Sequence, residues 1–150
     1  MFFQERVGRY KKPFVLVKFR TMKLATIAAP THTIESSAVT RLGRVLRRSK
    51  LDELPQLWNV LRGDMSLVGP RPCLPSQSEL IIARDHFEVF SVRPGITGLS
   101  QINGIDMSNP KALSESDAKM IKTMSLKCYL GYILSTIFGA GRGDRIISQK

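Results

Sequence analysis

Apolar residues change their spacing several times along the chain, and each change marks an element. Over residues 1–22, Phe14, Val15, Leu16, Val17 and Phe19 favour extended structure, and the stretch from Gly8 to Pro13 supplies a turn between strands. Residues 23–38 show no period, contain Pro30 and several Ser and Thr, and are expected as a loop; His32 stands alone there as a surface residue. From Val39 the spacing turns helical. Val39, Leu42 and Leu46 share one face, Arg41, Arg44, Arg47 and Arg48 occupy the rest, and Thr40 is placed to cap. Pro55 lacks an N–H and would clash with the carbonyl of Leu51, so this helix should stop near Leu51 and a second should start at Asp52 or Glu53. Its apolar stripe is Leu54, Leu57, Trp58 and Leu61, and Gly63 suits its C-terminal cap.

The second half is patterned in the same way. Two prolines stiffen the loop Val68-Gly69-Pro70-Arg71-Pro72. A helix is expected over 76–90, with Leu80, Ile81, Phe87 and Phe90 inward and Glu79, Arg84, Asp85, His86 and Glu88 on a solvated face. Arg93-Pro94-Gly95 fits a type II turn, 96–102 a short strand closed by Asn103-Gly104, and 114–123 a further helix. The tail from Leu126 to Phe138 is apolar, and 128–140 carries no charge, the length of an interfacial or core helix. These elements make one α+β domain over 1–150, mostly helical with a few short strands or a hairpin, and with amphipathic helices suited to a membrane interface.

Composition narrows the partners. The formal net charge is +11, from 23 Lys and Arg against 12 Asp and Glu, which favours nucleic acid, acidic lipid headgroups or phosphorylated substrates. No nucleic-acid signature is present, and aromatic residues do not interleave with the basic stretch. Cys73 and Cys128 lack metal spacing and read as two buried thiols. The sequence contains no run of 18 apolar residues and no signal-peptide pattern.

The stretch 49–72 carries the candidate chemistry. Asp52 and Glu53 in a first helical turn are either ordinary helix-starting residues or carboxylates held at a positive terminus where phosphate is also at home. Arg71, between Pro70 and Pro72, presents a planar fork matched to phosphate oxygens. In an extended Lys18-Phe19-Arg20, both cations fall on one face beside an apolar anchor, which suits a diphosphate or a solvated strand face.

Taken together, Lys-Phe-Arg-Thr-Met at 18–22, Asp52-Glu53, Val-Gly-Pro-Arg-Pro at 68–72 and Arg-Pro-Gly-Ile-Thr-Gly at 93–98 resemble the bacterial sugar transferases. These are the monotopic phosphoglycosyl transferases that start glycan assembly on a polyprenol phosphate, and the resemblance runs from Phe2 to about Leu126. It implies transfer of a sugar-1-phosphate from a UDP-sugar to polyprenol (undecaprenyl) phosphate, with UMP released first. It assigns Asp52 as nucleophile and Glu53 as its partner, Lys18, Arg20, Arg71 and, more weakly, Arg93 to substrate phosphate, and a magnesium ion (Mg²⁺) to Asp52, Glu53 and Asp117. Asp117 matches the Asp of a family segment Asp-x-x-Tyr, but Met120 stands where that segment has Tyr. Family members carry a hydrophobic membrane segment before the stretch matching Phe2–Gly8; none is expected here, so the chain is placed peripherally on the cytoplasmic face of the inner membrane, bound to anionic lipid. The competing readings are an inactive fragment of such an enzyme and a basic nucleic-acid-binding module.

Overall fold

The computed structural model describes residues 1–23 and 38–139. Most of the loop expected over 23–38, with His32, and the basic tip at Arg142, Arg145 and Lys150 lie outside the described residues.

The chain opens with an antiparallel hairpin, β1 (Phe2–Val7) against β2 (Pro13–Lys18), in register from Phe2 opposite Lys18 to Val7 opposite Pro13. The turn between them is a short 3-10 stretch in which Tyr10 and Lys11 both take positive φ. Leu16 and Val17 are both buried although they point to opposite faces of the hairpin, whereas Phe3 and Val15 are exposed. Helix α1 (Arg41–Arg48) follows, capped as expected by Thr40, whose Oγ1 accepts from the Gly43 N–H at 2.9 Å.

The second helix does not start at Asp52. Leu51–Glu53 forms a single 3-10 turn, entered through Lys50 at φ 57°, and α2 (Gln56–Leu61) begins only after Pro55. The reason is local. Pro55 has no N–H to bond the Leu51 carbonyl, so that carbonyl instead accepts the Leu54 N–H one residue early. Gly63 ends α2 at φ 80°, as its position suggests.

A parallel pair comes next. β3 (Ser66–Val68) crosses through α3 (Ser78–His86) to β4 (Gly95–Thr97), with Ser66 opposite Gly95 and Val68 opposite Thr97. Gly95 is therefore in a strand and lacks the positive φ of a type II turn. It is glycine for space, because a Cβ there would stand 2.0 Å from the Gly69 nitrogen. The strand expected over 96–102 ends at Thr97 because β3 offers no further partner. Beyond Gly98 the chain coils into the four-residue helix α4 (Leu99–Ile102).

Helices α5 (Pro110–Lys122) and α6 (Leu126–Ile137) complete the fold, with Asn109 and Ser125 as side-chain N-caps. The core joins both halves: Val7, Cys73, Leu80, Phe90 and Leu113 pack as one cluster, and Val7 bridges Cys73 in antiparallel fashion. Cys73 is buried, Cys128 is half-buried, and both are free thiols.

Three apolar faces lie at the surface. On α1 the buried residues are Gly43 and Arg47, while Leu42 and Val45 are 69% and 63% exposed. The stripe of Leu54, Leu57, Trp58 and Leu61 is also exposed, Leu61 by 81%. Helix α6 buries none of its residues. These apolar faces are surface and not core.

Candidate active site

The two carboxylates are fixed by β2 and α2. The Phe19 N–H donates to the Asp52 carbonyl at 3.0 Å, which ties the 3-10 turn to the end of β2 beside Lys18. Asn59, wholly buried on α2, completes the edge of the same strand: its Oδ1 accepts from the Val17 N–H at 3.1 Å and its Nδ2 donates to the Val15 carbonyl at 2.8 Å. A side chain thus takes the role of a neighbouring strand and sets the turn's distance from β2. Asp52 is 6% exposed.

Around this turn the positive charges gather. Arg71 Nη2 donates to Glu53 Oε1 at 3.1 Å, so the fold joins the two motifs 18 residues apart that the sequence singled out. Lys50, not singled out beforehand, stands with them. Burial holds its ammonium below the usual 10.5, with the Glu53 charge opposing that shift and Arg71 adding to it. Lys18 and Arg20 flank the Phe2 ring, the Lys18 nitrogen 5.4 Å and the Arg20 guanidinium 5.9 Å from its centroid. The positive field expected from a helix terminus is supplied instead by side chains on three segments. Arg93 is exposed, close to Gly63.

The four carbonyls from Pro70 to Cys73 are each held from elsewhere. Pro70 accepts from the Gly95 N–H at 2.9 Å, Arg71 from Arg84 Nη1 at 2.7 Å, Pro72 from Arg6 Nη1 at 3.1 Å, and Cys73 from the Val7 N–H at 3.0 Å.

Arg84 is not on a solvated face. It is 2% exposed, and its Nη2 donates to Asp117 Oδ2 at 2.7 Å. Asp117 is itself fully buried, and its Oδ1 accepts from Ser100 Oγ at 2.7 Å. Burial pushes the Asp117 carboxyl above its usual 3.8 against the pull of Arg84 and Ser100. Asp117 therefore does not join Asp52 and Glu53: both its oxygens are engaged within the interior. Among the described residues no three His, Cys, Asp or Glu side chains converge on one point. The remaining donor set still suits a hard divalent cation, since magnesium is commonly held by one or two carboxylates together with substrate phosphates and water.

Arg47 was visible in the sequence only as one of four arginines. It is buried, its Nε donates to Thr21 Oγ1 at 2.8 Å, and its Nη1 meets no hydrogen-bond partner among the described residues.

Comparison with known proteins now bears on this geometry. The family model described as bacterial sugar transferase matches residues 1–142. The chain belongs to the bacterial sugar transferase family. It is 38% identical over 146 residues to a UDP-glucose:undecaprenyl-phosphate glucose-1-phosphate transferase of Caulobacter vibrioides, covering 91% of this chain and 55% of that protein. A protein of the same description from Xanthomonas campestris pv. campestris is 40% identical over 160 residues, covering 99% of this chain and 32% of the relative. A UDP-N-acetylgalactosamine-undecaprenyl-phosphate N-acetylgalactosaminephosphotransferase of Aeromonas hydrophila is 35% identical over 144 residues, covering 91% and 34%. The chain thus spans about half or less of the length of these relatives.

Proposed function

We propose that this member of the bacterial sugar transferase family moves a sugar-1-phosphate from a UDP-sugar to undecaprenyl phosphate. Support comes from the convergence of Glu53 and Arg71 beside the buried Asp52, in a chain whose relatives carry that activity in their descriptions. A carboxylate oxygen of Asp52 attacks the sugar-bearing phosphorus of the diphosphate. The bond to the UMP oxygen breaks, UMP leaves, and the sugar phosphate remains esterified to Asp52. A phosphate oxygen of the polyprenol phosphate then attacks the same phosphorus and expels the Asp52 carboxylate, giving the polyprenol-diphosphate-sugar. Attack on an already anionic phosphorus depends chiefly on positioning and charge stabilisation, and Arg71, Lys18 and Lys50 are the cations on hand. Asp52 and Glu53 would hold a magnesium ion, which supplies further neutralisation of the diphosphate when bound.

Access to a bilayer substrate comes from the exposed apolar faces of α1, α2 and α6, which the +11 charge would draw to anionic lipid. No helix among the described residues is long and apolar enough to cross a membrane.

The test is UMP release from a panel of UDP-sugars with undecaprenyl phosphate. Asp52→Asn keeps size and hydrogen-bonding shape but removes the nucleophile, so turnover should fall to background while the circular dichroism spectrum is kept. Normal UMP release by folded Asp52→Asn would overturn the nucleophile assignment, and undiminished turnover after exhaustive chelation would remove the metal.

A further inference from the structure

We propose that the buried Arg84–Asp117 pair is a positioning device for Arg71: it fixes the backbone of the proline-flanked loop so that the Arg71 side chain is presented at Glu53. This rests on the reading of Arg71 as a phosphate-gripping residue.

The loop has few means of holding itself. Pro70 and Pro72 have no N–H, so the segment on either side of Arg71 can be fixed mainly through its carbonyls. Two of the neighbouring carbonyls, at Pro70 and Cys73, are met by backbone N–H groups of β4 and β1. The carbonyl of Arg71 itself is met by a side chain, Arg84 Nη1, at 2.7 Å. The other arm of that guanidinium donates to Asp117, and Asp117 in turn accepts from Ser100, so α3, α5 and α4 converge on the backbone of one residue. Arg84 and Asp117 are 2% and 0% exposed, whereas Arg71 and Glu53 are 29% and 17% exposed.

Burying two charges this deeply is an expensive way to stabilise a core, since a pair of apolar residues of similar volume commonly does as well or better. What apolar residues cannot do is aim a carbonyl. A planar guanidinium with two parallel arms can bond an acid on one side and a peptide oxygen on the other, whereas an ammonium delivers a point charge without that fork.

Arg84→Lys therefore separates the functions, because it keeps the charge pair with Asp117 and loses the fork. A second variant, Arg84→Met combined with Asp117→Leu, removes the pair without stranding a buried charge. Both are compared with the unmodified 150-residue chain by thermal midpoint, by amide exchange of the 68–73 peptide against the peptides of α3 and α5, and by kcat/KM for sugar-phosphate transfer. With the thermal midpoint and helix protection kept, the 68–73 amides should exchange about tenfold faster or more. Misplacement of Arg71 should lower kcat/KM by roughly tenfold to a hundredfold. That loss should largely vanish when the variant is made in an Arg71→Ala background, because both changes act through one side chain. Unchanged exchange over 68–73 in a folded variant would overturn the proposal, as would full additivity with Arg71→Ala. Failure of both variants to fold would leave the pair a purely structural one and equally overturn it. Faster loop exchange with normal kcat/KM in both Arg84→Lys and Arg71→Ala supports the positioning role and instead removes Arg71 from the phosphate site. Where the chain shows no turnover, the exchange measurement decides alone.

Discussion

Lys50 takes φ 57°, ψ 13°, a left-handed conformation that suits glycine far better than a side chain with a Cβ. It pays this strain two residues before Asp52, in the segment that turns α1 into the carboxylate-bearing turn. Burial also makes its ammonium harder to keep charged in the folded chain than in the unfolded one. The cost is present while both states are protonated and disappears as pH rises from the lowered folded value towards 10.5, so this group makes stability increase with pH across that window. Lys50→Gly should therefore be more stable than the unmodified chain at neutral pH, by on the order of 1 kcal/mol from relieved strain less glycine's own entropy cost. The margin should narrow at alkaline pH, and turnover should fall with loss of the cation beside Glu53 and Arg71; urea midpoints at the two pH values and UMP release measure both. At this scale Asp52, Glu53 and Arg71 stood out as candidates, and the Glu53–Arg71 contact joins two of them, because proline neighbours and adjacent carboxylates are local signals. Lys50, Asn59 and Arg84 were not, since their roles come from a left-handed backbone, a strand edge and a buried acid that no nearby residue announces.

Among the elements, α1 shows how a local pattern can mislead. Its spacing groups Leu42 and Leu46 with Val39 on one apolar face without saying what covers it, yet the helix lies on Thr21 through Gly43 and Arg47, one turn apart. Gly43 permits this approach, because a Cβ there would stand 2.1 Å from the Thr21 carbonyl oxygen, a backbone atom that cannot move aside cheaply. Gly43→Ala should lift α1 from the end of the β2 segment and cost roughly 1–3 kcal/mol. It should also displace the turn carrying Asp52, and with it activity; a thermal midpoint no lower than that of the unmodified chain would contradict this docking. The hairpin, the stop at Gly63 and all but the first turn of α5 could be read from sequence, since strand alternation, turn residues and helical spacing are short-range. The strand-to-helix switch at Gly98 could not, because it depends on β3 being only three residues long.

For the whole molecule, the exposed leucines, Trp58 and the unburied α6 combine with the net charge of +11. Partial burial of an apolar face together with attraction of about 1 kcal/mol per basic residue near an anionic leaflet gives reversible attachment. The chain should sediment with anionic liposomes at low salt, leave them at high salt without detergent, and bind neutral vesicles far less. Trp58→Ser with Leu61→Ser should weaken sedimentation while leaving the thermal midpoint unchanged, because both side chains are already outside the core. Sedimentation unaffected by these changes would move the contact away from α2. The grip on the proline-flanked loop has a consequence for how the molecule comes together. Its carbonyls are claimed by Arg6 and Val7 from one end of the sequence and by Arg84 and Gly95 from beyond it, the Arg6 contact alone closing a separation of 66 residues. No fragment shorter than the span from the first strand to the fourth can build this loop, so competence arrives with long-range closure and is not inherited from any local piece.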